Sequence, residues 1–158
     1  MNPSKTVIIT GGNSGLGYEC AQVLAQEKDW AVVIASRSAA RVQAAVDQLK
    51  AKTSHEAIYP VIVDLGAVDS IRCSTHSFLN MGLPPLHAIV CNAGLSPAHN
   101  GQTADGIDLT FGVNHLGHYL LAHLLSERLA DSGRLVFVSS GTHTVSYTHL
   151  RAHETHND

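Results

Sequence analysis

The sequence predicts an α/β fold built on a doubly wound parallel sheet, and three observations carry that prediction. Short apolar, β-branched runs alternate with amphipathic helical patterns along most of the chain. That alternation suits parallel strands joined by right-handed helical crossovers. The run Trp30-Ala31-Val32-Val33-Ile34-Ala35-Ser36 is apolar almost throughout, as a strand buried on both faces should be. The first strand also gives way to Thr10-Gly11-Gly12-Asn13-Ser14-Gly15-Leu16-Gly17, with helical spacing after it. Strand, glycine-rich turn and helix, in that order, suit a phosphate: the glycines let backbone approach closely, and the first helical N–H groups and the helix dipole favour an anion. The plainer reading is a glycine-rich turn that binds nothing.

The elements follow in order. Thr6-Val7-Ile8-Ile9 forms the first strand. A helix is predicted over residues 15–27, with Leu16, Cys20, Val23 and Leu24 on its apolar side. Lys28-Asp29 breaks it, and the second strand spans residues 30–36. Ser38 caps a second helix that places Val42, Ala45, Val46 and Leu49 on one face and runs to Lys50. After a polar loop, residues 58–63 form a third strand, which Pro60 is expected to make irregular. A third helix starts at Asp69-Ser70 and ends near Met81-Gly82; Pro84-Pro85 is a stiff link to a fourth strand over residues 87–92. One long helix is predicted over residues 107–129, broken by Gly133, before a fifth strand over residues 134–139.

Composition narrows the function classes. The chain has 158 residues, 44% hydrophobic and 15% charged, with a net charge of −3. Such values describe one globular domain, not a disordered chain. The Lys and Arg residues form no cluster, which argues against a nucleic-acid partner. No apolar run approaches a membrane span, and the first residues lack a signal-peptide core. Cys20, Cys73 and Cys91 are scattered and form no pairing pattern, so a cytoplasmic protein with reduced thiols is expected.

In doubly wound sheets ligands sit at the carboxyl ends of the strands. That rule selects the glycine turn after strand one, Ser36-Arg37 after strand two and Asp64-Leu65 after strand three. Asn92-Ala93-Gly94 follows strand four, and Ser139-Ser140-Gly141 follows strand five.

These motifs together resemble the short-chain dehydrogenase/reductase family over residues 5–143, nearly the whole chain. Thr10-Gly11-x-x-x-Gly15-x-Gly17 has the glycine spacing of the classical branch and not that of the extended, epimerase-type branch. Asn92-Ala93-Gly94 resembles the Asn-Asn-Ala-Gly motif, with Cys91 in place of the first Asn. The wording TADGIDLTFGVNHLGHYLL and VFVSSGTH is similar to the protochlorophyllide reductase and retinol dehydrogenase-like branch. The resemblance implies a Rossmann-type sheet, incomplete at its first five strands, in the order 3-2-1-4-5. It implies a cofactor site made of Thr10, Gly11, Asn13, Ser14, Gly15, Leu16, Gly17, Arg37, Asp64, Leu65, Asn92, Ala93 and Gly94. Asp64 would contact the adenine ring.

An acidic residue ending strand two would select NAD; Arg37 stands there instead, and a guanidinium fork suits a ribose 2′-phosphate. NADP is therefore expected over NAD; the plainer reading is a solvated loop arginine, with Arg41 merely its helical neighbour. The resemblance also implies hydride exchange with a small carbonyl or alcohol substrate. Ser140, or Ser139, would position the substrate oxygen. Asn114 would hold a water in the proton relay through a free backbone carbonyl. The plainer readings are a solvent-facing polar residue for Asn114 and ordinary strand-end residues for the serines. A homo-oligomer is allowed for the full-length protein. A non-catalytic NADP-binding protein of the same fold is the rival reading.

The pattern stops short of the family's Tyr-x-x-x-Lys. Tyr147 and Arg151 share its spacing, but they follow Ser140 too closely and Arg is a poor replacement for Lys. Val145-Ser146-Tyr147-Thr148-His149-Leu150-Arg151-Ala152-His153-Glu154-Thr155 resembles a translated transposase-type sequencing adapter. The expectation is a dinucleotide-binding portion over residues 1–143 and a foreign tail over residues 144–158. The natural sequence would then continue differently after about His143. His149, His153 and His156 have helical chelating spacing but no partner to complete a shell, so no metal is expected. His115, His118 and His123 are read as packing or surface histidines of the long helix.

Overall fold

A computed structural model describes residues 2–96 and 101–140. His143, Tyr147, Arg151 and the tail histidines lie outside the described residues, so the expectations placed on them do too.

Five parallel strands form one sheet: β1 (Lys5–Thr10), β2 (Trp30–Ser36), β3 (Ile58–Ile62), β4 (Leu86–Cys91) and β5 (Leu129–Phe137). Their order is β3-β2-β1-β4-β5, as expected. The chain winds from β1 outward to β3, then returns to the other side of β1 for β4 and β5. The sheet therefore has its switch point between β1 and β4.

Alternation along each strand sorts the core into two layers. Val7, Ile9, Val32 and Ile34 pack on one face with Ala21 and Ala25 of α1 (Gly15–Gln26) and Val42, Val46 and Leu49 of α2 (Ala39–Thr53). Ile8, Val33, Ala35 and Ile89 pack on the other with Ile71 and Phe78 of α3 (Val68–Leu79) and Leu121 and Leu125 of α5 (Gly117–Ser126). Residues with exposures of 0–1% on β1 and β2 show that both faces are covered there.

Four expectations need correction. Pro60 leaves β3 regular: pairing runs without a shift from Val32–Ile58 to Ser36–Ile62. β3 is an edge strand with β2 as its one neighbour, and an edge tolerates a missing N–H. The third helix begins at Val68 because Asp105 Oδ2 accepts the Val68 N–H at 2.9 Å, a cap supplied from a distant loop. The fourth strand is one residue earlier than predicted, since Leu86 is buried and the Asn92 N–H turns to the Thr10 hydroxyl at 2.9 Å.

The long helix is the largest departure. Its first turn, α4 (Leu109–Phe111), starts where Asp108 accepts the Phe111 N–H at 2.8 Å. A π-helical turn follows over Gly112–Leu116, and α5 ends at Ser126. Leu129 already pairs with Leu86, while the next rung is Arg134 with Ala88. Residues 130–133, with Gly133 among them, are thus an irregularity within β5 rather than a helix terminus. Among the described residues β5 is an edge, and Leu135, Val136 and Phe137 on it are exposed.

The three cysteines are unpaired. Burial pushes the Cys91 thiol up to about 12, so its thiolate is scarce at ordinary pH, whereas Cys73 is exposed. Alkylation with iodoacetamide near pH ~8 should modify Cys73 promptly and Cys91 only on unfolding, read by peptide mass spectrometry.

Candidate active site

The carboxyl ends of β1, β2, β3 and β4 open into a cleft of about 340 Å³. Gly11, Asn13 and Ser14 line it from the glycine turn, Arg37 from the end of β2, Asp64 and Leu65 from β3, and Asn92, Ala93 and Gly94 from β4. Of the residues picked out by sequence, these share one cavity.

The turn is built by backbone demands. Gly11 has φ +67, which reverses the chain at the end of β1. Gly17 is buried against the same turn: a Cβ there would stand 2.6 Å from the Gly11 oxygen and 2.5 Å from Asn92 Nδ2. The start of α1 can therefore lie on the turn only if residue 17 has no side chain. Ser14 makes no side-chain cap, and no acidic residue occupies the first turn of α1. The N–H groups there keep their attraction for an anion.

Gly15 and Leu16 lie exposed at the start of α1, Leu16 by 75%, and neither lines the cleft. Thr10 is wholly buried. Its hydroxyl accepts the Asn92 and Ala93 N–H groups at 2.9 and 3.0 Å and lies 2.8 Å from His118 Nε2. Asn92 Nδ2 donates to the Thr10 carbonyl at 3.0 Å. Thr10 thus orders the cleft wall from behind.

Asn114 lies in the π turn. Its Oδ1 accepts the Leu95 N–H at 2.7 Å and its Nδ2 donates to the Leu95 carbonyl at 2.9 Å, which ties the turn to the segment after Gly94. Its backbone carbonyl was expected to be free, but it takes a hydrogen bond from His118 Nδ1 at 3.1 Å. Ser139 and Ser140 are exposed beyond β5, outside the lining of this cleft.

Sequence reading missed three contributors. Arg41, taken as a mere helical neighbour of Arg37, lines the same cleft, as its four-residue spacing could have suggested. Ser38 both lines the cleft and accepts the Arg41 N–H at 3.4 Å. His118, read as packing or surface, is 2% exposed and hydrogen-bonded at both ring nitrogens; nothing local in the sequence announces those partners. Among the described residues no three side chains gather as metal ligands, and no helix is long and apolar enough to cross a membrane.

Sheet order and cleft define an α/β protein of the dinucleotide-binding class. The short chain dehydrogenase family model matches residues 5–154, and the chain belongs to that family. Human retinol dehydrogenase 11 is 37% identical over 150 residues, which are 94% of this chain and 46% of that protein. The Brassica napus short-chain dehydrogenase TIC 32 A, chloroplastic, is 35% identical over 90% of this chain and 46% of its own. A short chain dehydrogenase from Burkholderia cenocepacia solved in complex with NADP has a TM-score of 0.72 and 28% identity, over 90% of this chain and 58% of that one. The chain spans about half the length of the curated relatives it matches, 46% for the first of them.

Two outcomes are expected. Gly17→Ala should lower stability by about 1–3 kcal/mol through overpacking and displace the turn, read by denaturant unfolding and by dinucleotide titration. Burial holds His118 below its usual 6.5, the Asn114 hydrogen bond opposing only in part. The unfolded chain then takes the proton first. The contribution is complete above about pH 6.5 and lost as pH falls towards the lower folded value. Between about pH 7 and 5 the wild type should lose more stability than His118→Gln, measured by urea midpoints.

Proposed function

We propose that this chain is the cofactor-binding portion of an NADP-dependent short-chain dehydrogenase, which exchanges hydride between NADP(H) and a small carbonyl or alcohol substrate. The observation that carries this is the charge at the end of β2. Ser36, Arg37, Ser38 and Arg41 line the cleft there, and no carboxylate stands among them. A carboxylate would accept the hydroxyls of an unphosphorylated ribose; two guanidinium groups suit a 2′-phosphate instead.

The remaining residues fit the same ligand. The uncapped first turn of α1 would hold the pyrophosphate, with no side chains at Gly11 and Gly17 to keep it away. Asp64, at the end of β3 in the same cleft, would contact the adenine ring. Asn92, Ala93 and Gly94 shape the far end of the cleft beside Asn114. When bound, the dinucleotide supplies the hydride chemistry. The chain supplies binding and orientation: Ser140, or Ser139, would position the substrate oxygen, and Asn114 would hold a water through its backbone carbonyl.

Residues 1–143 are on this reading the native dinucleotide unit, and the tail over residues 144–158 is foreign to it. The protein acts in the cytoplasm, in keeping with three unpaired cysteines. The full-length protein is a homo-oligomer candidate, with no nucleic-acid partner given the net charge of −3.

Calorimetric titration tests the reading. The chain should bind NADPH more tightly than NADH, and Arg37→Ala should weaken NADPH about 10- to 100-fold while changing NADH little. Equal loss for both dinucleotides, or no binding of either, would overturn it. Steady-state carbonyl reduction by the 158-residue chain should be weak or absent. Full-length protein read from the source gene past the His143 codon should reduce carbonyls; binding without turnover there would favour the non-catalytic rival.

A further inference from the structure

His118 is buried between two segments of the cleft wall that the sequence keeps far apart. Its Nε2 lies 2.8 Å from Thr10 Oγ1, and its Nδ1 lies 3.1 Å from the Asn114 carbonyl oxygen. The hydrogen-bond inventory fixes its state. A carbonyl cannot donate, so Nδ1 carries the proton. The Thr10 hydroxyl has two lone pairs, and the Asn92 and Ala93 N–H groups take both. Its single proton can go to His118 Nε2 at 2.8 Å or to the Val90 carbonyl at 3.3 Å. The shorter contact is the better bond, so Nε2 accepts.

The pieces then close into a ring. Thr10 holds the Asn92–Ala93 backbone, His118 joins Thr10 to Asn114, and Asn114 clasps Leu95 by two hydrogen bonds. Leu95, Asn92, Ala93 and Gly94 line the cleft. We propose that His118 is a positioning residue: a neutral, Nδ1-protonated imidazole that braces the end of β1 against the π turn and so sets where Asn114 and residues 92–95 stand along the cleft. Its consequence for cofactor binding rests on the dinucleotide reading above; the brace itself does not.

A second proton on the ring would break this arrangement. An Nε2–H would need an acceptor, and Thr10 has no lone pair left to offer. None of the groups that hydrogen-bond to His118 is charged, and burial also disfavours the cation.

The test uses the 158-residue chain labelled with nitrogen-15. Long-range imidazole correlation spectra should show protonated Nδ1 and bare Nε2 at His118, unchanged from about pH 8 to about 5. A protonated Nε2 anywhere in that range would overturn the proposal. In His118→Leu, the Leu95 amide and the Asn114 side-chain amide resonances should move; if they stay, the brace is refuted. If that variant fails to fold, Thr10→Val serves instead: without the hydroxyl proton His118 Nε2 loses its donor, so its nitrogen-15 shift should move towards that of an unbonded imine nitrogen, and an unaltered shift would refute the brace. In NADPH calorimetry, His118→Leu should bind about tenfold more weakly than wild type. His118→Asn, which keeps a donor for the Asn114 carbonyl, should stay within about threefold. Equal affinity for His118→Leu and wild type would overturn the positioning role. A wild-type chain with the stated tautomer and no affinity for NADPH would count against the dinucleotide reading and leave the brace standing.

Discussion

The cleft depends on how one hydroxyl is shared. In a doubly wound sheet the crossovers diverge on either side of the first strand, so the carboxyl ends of β1 and β4 are left without a covering helix. Backbone groups there lack ladder partners, yet they sit beside a dry core. Thr10 resolves this by accepting the N–H groups of Asn92 and Ala93, with His118 Nε2 2.8 Å and the Val90 carbonyl 3.3 Å from its hydroxyl oxygen. A buried N–H without an acceptor costs about 1–3 kcal/mol, and this side chain accounts for two of them. Valine has the same shape but no lone pairs, so packing alone cannot explain a threonine at this position.

The same site shows why a glycine motif is a statement about three segments. The Gly11 turn, the start of α1 and the Asn92 side chain converge within a few ångströms, and a methyl group at residue 17 would strike the other two. The start of α1 is then left beside the cleft with no capping oxygen from Ser14. A helix meant only to pack would gain about 1 kcal/mol from such a cap. Leaving the cap unmade is consistent with an anion taking that place.

What the sequence disclosed follows from range. β1, β2, α1 and α2 are marked by local periodicity and by capping residues within a few positions, and their predicted bounds agree with the structure to within a few residues. The sheet order was legible through the family resemblance, since alternation of strands and helices alone fits more than one doubly wound order. The departures occur where a distant partner decides. Asp105 caps α3 across 37 positions, and Leu86 draws Leu129 into the sheet before the helical pattern has ended. The leucine-rich stretch before β5 has one periodicity on paper, yet a π turn divides it, and no spacing rule announces one. The cleft residues at strand ends were legible; His118 was not, because its partners Thr10 and Asn114 lie on different elements.

The proposed preference for NADP turns on magnitudes. Two unit charges about 4 Å apart attract by about 1 kcal/mol in water and about 4 kcal/mol at the effective dielectric of a partly covered site. Arg37 and Arg41 are exposed, yet they line the same concave wall, so each stands between those limits. A dianionic 2′-phosphate collects that attraction from both guanidinium groups. A ribose hydroxyl in the same place collects almost none of it and finds no carboxylate at the end of β2 to accept its proton. Neither arginine need be strong for the pair to discriminate, because the unphosphorylated ligand loses on both counts. The discrimination should weaken with salt, since the charges face solvent; the hydrogen bonds of the glycine turn, indifferent to the 2′ position, would hold either dinucleotide alike.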